Sequence, residues 1–500
     1  MSEGGLRRLS SSCTVVNARL LLNGLTERYF RRGRCATLFL LSIYMLLLPG
    51  CGEQQLPPES EGVLTYAAIN PVSTKLKRSI ERFNEAHPDT PIEIHDYSEE
   101  GGMERLQTEL VLGKVPDIME LRAGDNTKES WRSPDQVPGV DKGSEDYMPY
   151  RQLAMKGYLE DLWPYIENDP ELGREAVLEA PLKAAEVNGG LYMLFDGVEI
   201  FTLTGRASVV GERYSWTLDD IMEVYAAMPE DSTILRYNIT RKECFYNLLC
   251  NSLERFIDRE TGESTFDSEE FRTLVGFLET LPDKADDKPP AEAEEEVIRR
   301  IQNGTQMLEG MAVLWPDSIA LSDGLWQERA AFPGYPTTDG NSGSFFYLKR
   351  NILGMSATCR NKDAAWAYIR TLITPCLIGA DVFFNGIPVN LHDYEKICRY
   401  VLRRTQEWER LWAGRPEIHY MTTRHFQYGP EVPLLDFPSE KENQRHRELI
   451  DHTTQIFWPE DELSNIVWDT LGPYFARDKT WEQTVNLLQN RVKIYLDENR

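Results

Sequence analysis

Short apolar stretches and helix-period stretches alternate through the first part of the chain. Val63–Ile69 is closed by Asn70-Pro71, and Pro91–Tyr97 and Val115–Leu121 are two further short stretches of the same kind. Such stretches, bounded by turn residues, predict strands. Between them Leu76, Ile80 and Phe83 share one helical face, predicting a helix over 75–86 with Ser73 or Thr74 at its cap. A second helix is predicted over 103–112. The order β-α-β-α-β predicts a wound α/β sheet.

The pattern continues less regularly. After Gly189-Gly190 a strand is predicted over Leu191–Phe195; Asp196-Gly197 interrupts it, and Val198–Leu203 resumes it. Thr217 is placed to cap a helix, as is Asp267 or Ser268 before a helix over 266–281. Residues 240–256 are read as helical and Met311–Trp315 as a strand. Ala331–Tyr335 reads as a short connection back, and Lys362–Ile373 and most of the remainder, to Leu496, as helix. The chain has no internal repeat.

One apolar stretch does not fit this alternation. Arg31, Arg32 and Arg34 precede the run Cys35–Leu48, and Pro49-Gly50-Cys51-Gly52 follow it. A basic segment, a short apolar core and small residues predict a secretory signal over 1–50. The run is shorter than the roughly 18–20 residues that span a bilayer. Its end resembles the bacterial lipoprotein box, with Pro49 where Ala, Ser, Thr or Val is usual. The resemblance implies that Cys51 is lipidated and becomes the mature N-terminus, on the extracytoplasmic face of the cell membrane. Residues 51–61, polar and Pro-containing, then read as a tether.

Charge narrows the partners. Residues 1–50 hold seven Arg and two Glu, a net of +5; subtracting this from −26 leaves −31 for 51–500. So acidic a body is repelled by phosphate backbones, which argues against nucleic acid. Beyond Cys51 the body holds Cys244, Cys250, Cys359, Cys376 and Cys398, an odd set read as buried thiols, with a Cys244–Cys250 pair left open.

Several short matches then occur in order. They are Phe83-Asn84-Glu85-Ala86-His87-Pro88, Gly113-Lys114-Val115-Pro116-Asp117-Ile118, Gly157-Tyr158-Leu159-Glu160-Asp161-Leu162, Asn188-Gly189-Gly190-Leu191-Tyr192 and Ser215-Trp216-Thr217-Leu218-Asp219. Gly310-Met311-Ala312-Val313, Gly334-Tyr335-Pro336-Thr337, Ala364-Ala365-Trp366-Ala367-Tyr368-Ile369, Gly386-Ile387-Pro388-Val389-Asn390 and the helix from Gln489 follow. Through them the chain resembles the extracellular solute-binding proteins of ABC importers, family 1, carbohydrate type, which include maltose-binding protein. The chain departs from that pattern at Gly190, where Lys is usual, and at Thr204-Gly205-Arg206, where many members read Tyr-Asn-Lys.

The resemblance implies a type II periplasmic-binding-protein fold: two α/β lobes with a ligand cleft between them, here with extra C-terminal helices. Residues 62–196 with 332–380 are expected in the first lobe, and 197–331 with 381–500 in the second. The helical stretch from Tyr394 to Trp468 either lines an extended cleft or thickens the second lobe. A sugar or oligosaccharide, a permease and the membrane are the implied partners of a monomer that needs no cofactor.

Strand ends carry the candidate ligand residues, because ligands of open α/β sheets sit off the carboxyl ends of strands. Asn70 ends the first strand, and Arg122 and Asp125 follow the third. Asp196, after Phe195, interrupts the strand at the expected hinge. Trp315 ends a strand before Pro316-Asp317, where an indole face suits a pyranose. Asp317, Tyr335 and, more weakly, Asn385 complete the set. Each has a structural alternative: turn, cap, solvated charge or core.

Enzyme signatures are missing. There is no Gly-x-Ser-x-Gly, no Gly-x-x-x-x-Gly-Lys and no His-Glu-x-x-His. His419/His425 and His446/His452 are each six apart, off a shared helical face, and are expected at the surface. Asp258–Glu263 lacks the Gly of a calcium loop. A binding protein is therefore expected, with no catalytic or metal residues. The alternatives are a glycoside hydrolase, which needs two carboxylates across a bond, and a receptor feeding a sensor kinase.

Overall fold

The computed structural model describes residues 62–121, 150–237, 239–249, 253, 255–258, 261–284, 288–337, 340, 343–348, 351–374, 386–412, 422–424, 431–456 and 462–498. Two sheets organise them. The first contains β1 (Leu64–Ala68), β2 (Ile92–Asp96), β3 (Ile118–Glu120) and β4 (Leu194–Phe195). Its remaining strand comes from much later in the chain, as described below.

The first sheet is wound as the sequence predicts. β1 lies between β2 and β3, parallel to both, with Leu64 opposite Ile92 and Tyr66 opposite Ile118. The connections are α1 (Thr74–Ala86) and α2 (Gly102–Val111). Ser73 Oγ caps α1 by accepting from Leu76 N at 3.1 Å. Ile80 and Phe83 are the buried face of α1. Each such side chain taken from water contributes about 1.5–3 kcal/mol. Asp117 ties the strands together, its Oδ2 accepting from Thr65 N at 2.8 Å and Thr65 Oγ1 at 2.9 Å.

β5 (Gly197–Arg206) is the spine of the second sheet. It pairs antiparallel with β6 (Glu309–Val313), β7 (Ala330–Ala331), β8 (Phe345–Leu348) and, at its start, β10 (Ile387–Pro388). β11 (Gln455–Ile456) joins the free side of β8. The strand β9 (Ile352–Met355), which follows β8, returns to the first sheet between β3 and β4. The chain thus changes sheet between Leu348 and Ile352, and not at residue 332 as the sequence reading placed it. The strand pair escaped that reading because both strands are only four residues long, with the polar stretch Lys349–Asn351 between them.

The described strands place three passages of the chain between the sheets. The first is Asp196, directly between β4 and β5. The second is the β8–β9 link, and the third runs from the first lobe's helix α5 (Lys362–Ile369) to β10. We call the two sheets with their helices the lobes.

A continuous apolar core runs from Leu64 and Ile118 through Phe195, Val198 and Ile200 to Ile456, while Phe201 and Leu203 face a second core in the second lobe. β5 thus buries alternate residues in different cores, as the period of two requires.

Several local expectations meet physical limits. Only Leu194–Phe195 of the expected strand 191–195 is paired. The expected helix over 240–256 is a single turn, Arg241–Cys244, followed by a π-helical turn Phe245–Leu249. His446, expected at the surface, is fully buried on α7 (Glu440–His452), while His452 on the same helix is exposed. Cys244 and Cys359 are buried free thiols, and Cys398 is a half-buried one. Cys51, Cys250, Cys376, His419 and His425 lie outside the described residues. Among the described residues no helix is long and apolar enough to cross a membrane.

Candidate functional site

Strand direction decides where a site can form. β1 and β3 run parallel, so Asn70 and Leu121 lie off the same carboxyl edge. Leu121 N donates to Ile352 O at 2.8 Å, which sets the start of β9 there. Phe195 pairs with Ile352, so β4 leaves the sheet at this edge too. Every crossing whose ends are described by pairing therefore departs from the sheet edge that carries Asn70.

The second sheet offers its matching edge. β5 begins at the crossing, and β6 runs toward it, with Val313 opposite Ile200. Leu314, Trp315 and Pro316 continue past that pair into helix α4 (Asp317–Trp326). β10 pairs with Gly197 and Val198 on the side of β5 that β6 uses. Trp315 and Asp317 thus sit at the crossing edge of the second sheet, as Asn70 does at that of the first.

Asp196 is the junction of the three crossings. Its carboxylate accepts from Asn351 Nδ2 at 2.6 Å, tying the first crossing to the second. Its backbone carbonyl accepts from Val389 N at 3.1 Å, tying it to the third. Burial raises the Asp196 carboxyl above its usual range, against the Asn351 bond and the nearby Lys75 ammonium. A Cβ at Gly197 would lie 2.9 Å from Ile387 O, and one at Gly386 2.6 Å from Val198 O. The crossing backbones touch, and glycine is what lets them.

Asn70 is exposed and organised by a carboxylate the sequence reading passed over. Glu120 Oε2 accepts from Ile69 N at 3.0 Å, Asn70 N at 3.1 Å and Asn70 Nδ2 at 3.3 Å, while Oε1 accepts from Tyr66 Oη at 2.9 Å. Glu120 was findable: it ends a parallel strand by the same rule that singled out Asn70.

Trp315 is half-buried and meets the ring of Tyr400 edge-on, 6.3 Å between centroids. Tyr400 belongs to α6 (Leu391–Trp412), part of the long C-terminal stretch. Burial raises the Asp317 carboxyl, and Arg404, one turn beyond Tyr400, opposes that rise. Asp317 also sits in the first turn of α4, where the helix N-terminus favours negative charge. Helix α6 therefore supplies side chains to this edge as well as bulk.

Tyr335 is not brought to this edge. It is buried in the second core, its ring 5.6 Å from that of Phe345. Gly334 N donates to Leu203 O, toward the far end of β5. Arg122, Asp125 and Asn385 lie outside the described residues. Among the described residues no group of three or more His, Cys, Asp or Glu side chains is placed to hold a metal ion.

No family model matches the chain, and no curated protein sequence does. Solved structures do. The chain is similar to an extracellular solute-binding protein family 1 from Alicyclobacillus acidocaldarius, at 13% identity and a TM-score of 0.45, covering 87% of this chain and 98% of that one. It is similar to the sugar-binding protein MalE from Xanthomonas citri, at 13% identity and 0.44, covering 88% and 98%. A periplasmic oligogalacturonide binding protein from Yersinia enterocolitica follows at 15% identity and 0.44, covering 87% and 99%.

Proposed function

We propose that this protein is an extracytoplasmic receptor, anchored through a lipid on Cys51, that captures a sugar or oligosaccharide and delivers it to an ABC permease. The observation that carries the reading is the convergence of two sheet edges at one three-stranded crossing. Asn70 and Glu120 stand on one edge, and Trp315, Asp317 and Tyr400 on the other. Hinge closure brings such edges together around a ligand. The Trp315 indole then stacks on an apolar sugar face. Asn70 donates to hydroxyl groups, and Asp317 accepts from them.

Asp196 holds the crossings rather than the ligand in this reading, since Asn351 occupies its carboxylate. No covalent step is assigned to any residue. Two carboxyls raised by burial, Asp196 and Asp317, are what a hydrolase would also show.

A thermal-shift screen of the full chain against mono- and oligosaccharides, amino acids and peptides tests the reading. A ligand that binds the folded state raises the midpoint by mass action. A sugar is expected to do so and to be recovered uncleaved. Trp315→Ala is expected to weaken that sugar at least tenfold, an order set by about 1.4 kcal/mol. Cleaved sugar would move the assignment to hydrolysis. No shift from any sugar, with a shift from another class, would overturn the cargo.

A further inference from the structure

Two C-terminal helices connect the lobes beyond the crossings themselves. The base of α6 is bonded to the first lobe. Leu178 N donates to Val389 O at 2.8 Å, Val177 bridges to Asn390, and Asn390 Nδ2 donates to Ile373 O at 2.8 Å. Asn390 Oδ1 accepts from Asp393 N at 3.0 Å, in the first turn of α6. Farther along the helix, Tyr400 meets Trp315 of the second lobe. One helix thus starts on the first lobe and reaches the crossing edge of the second.

Helix α7 has its directional contacts in the second lobe. Arg445 donates to Asp323 and to Ala330 O, and Tyr214 Oη donates to Glu448 at 3.0 Å. β11, which follows α7, pairs with β8. Toward the first lobe α7 packs on α3 (Glu179–Ala184), where Leu449 and Ile450 share the continuous core with Leu182. Apolar contact resists separation but has no direction of its own.

The two helices meet at a buried polar pair. Tyr394 Oη lies 3.0 Å from His446 Nδ1, and the rings stack at 5.8 Å with 12° between their planes. Both residues are buried, and His446 Nε2 has no hydrogen-bond partner among the described residues. Burial keeps both groups neutral, lowering the imidazole pKa to about 3 and raising that of the phenol. The Cys398 thiol bonds the same hydroxyl from within α6, so it adds nothing between the helices. Two apolar side chains would fill this space without leaving a ring nitrogen unsatisfied. What the polar pair supplies is direction, because a buried hydrogen bond fixes one register between two helices.

We propose that α6 and α7 form a strap across both lobes, jointed at Tyr394 and His446, that restricts the lobes to a small sliding movement. A wide opening at the Asp196 crossing has to break the joint or pull α7 off α3. A small slide of packed helices does neither. The consequence for capture rests on the receptor reading above: the Trp315–Tyr400 edge stays assembled without ligand, so binding has less to order.

The test needs no ligand. Nitroxides are carried on non-canonical ketone side chains in the full chain, which leaves the native cysteines unlabelled. One pair, at Leu112 and Val209, measures across the lobes, and a second, at Val209 and Ile494, measures within the second lobe; all three positions are exposed. Protein with the native joint is expected to give one narrow interlobe distance distribution by double electron–electron resonance. Tyr394→Phe with His446→Leu replaces the polar pair by apolar packing and is expected to fold. It is expected to broaden the interlobe distribution roughly twofold and to leave the second-lobe pair unchanged. Tyr394→Phe alone, which removes a single oxygen, is expected to broaden it in the same direction. A broad distribution with the native joint, no broadening in either variant, or equal broadening of both label pairs overturns the strap and leaves the receptor reading standing. Silence from every sugar in the thermal-shift screen overturns the carbohydrate reading and leaves the strap standing.

Discussion

The two lobes reach similar sheets by opposite routes. The first lobe takes three neighbouring strands from one stretch, residues 64–120, closed by short helices. The second assembles β5, β6, β8, β10 and β11 from segments spread between residues 197 and 456. Sequence-local pairing needs little loop closure before it stabilises anything, whereas distant pairing must first overcome that entropy. Long-range polar ties hold both lobes; in the first, Asp169 accepts from Trp366 Nε1 and from Arg370 Nη2, each at 3.0 Å, and the second has its own. Arg445 donates to both oxygens of Asp323, at 2.6 and 3.0 Å, and to Ala330 O at 2.8 Å. Trp326 Nε1 donates to Thr204 Oγ1 at 3.0 Å.

The sharpest way to break this contrast is to remove one tie from each lobe. Arg445→Ala leaves Asp323 without its buried partner and is expected to cost about 3–5 kcal/mol. Asp117→Ala in the first lobe removes the bonds to Thr65 and to the Cys359 thiol and is expected to cost about 1–3 kcal/mol. Urea denaturation of both variants measures the difference. Equal losses would show that the lobes do not differ in this way.

A second probe uses acid. Burial holds the His446 imidazole neutral, its pKa lowered from 6.5 to about 3. The unfolded chain takes up this proton below about pH 6.5, and the folded protein does not until about pH 3. Stability from this group is therefore full above pH 6.5 and falls with acid between the two values, at up to about 1.4 kcal/mol per pH unit. His446→Gln is expected to flatten that part of the curve of melting temperature against pH, even if it lowers the value at pH 7. An unchanged slope would place the acid sensitivity elsewhere.

The smallest expected effect lies between the lobes. Asn351→Ala frees the Asp196 carboxylate from the second crossing and is expected to cost about 1 kcal/mol or less. Its main effect is expected in the closing equilibrium, as a several-fold change in ligand affinity seen by calorimetry. Unchanged affinity would make the bond purely structural.

The same contrast explains what the sequence disclosed. β1, β2, β3 and their helices follow from local periodicity and caps, and they appear close to where the pattern puts them. β8 and β9 escaped because nothing local distinguishes two four-residue strands belonging to different sheets. Trp315 and Asn70 were legible as strand ends. Tyr400 and Arg404 were not, because α6 comes from a region far from β6 in the chain. His446 looked like a surface residue because six-residue spacing says which face a side chain shares, not whether that face is covered.

Helix α7 packs against α4 in the second lobe and against Glu179–Ala184 in the first, with Leu449 and Ile450 in the continuous core. The lobes are therefore not modules that evolution or an engineer could separate at the crossings. A cut there would strip α7 of one of its two seats and open a common interior to water. Tags, fluorescent inserts and split fragments belong on solvent-facing loops within a lobe, and permuted termini belong there too.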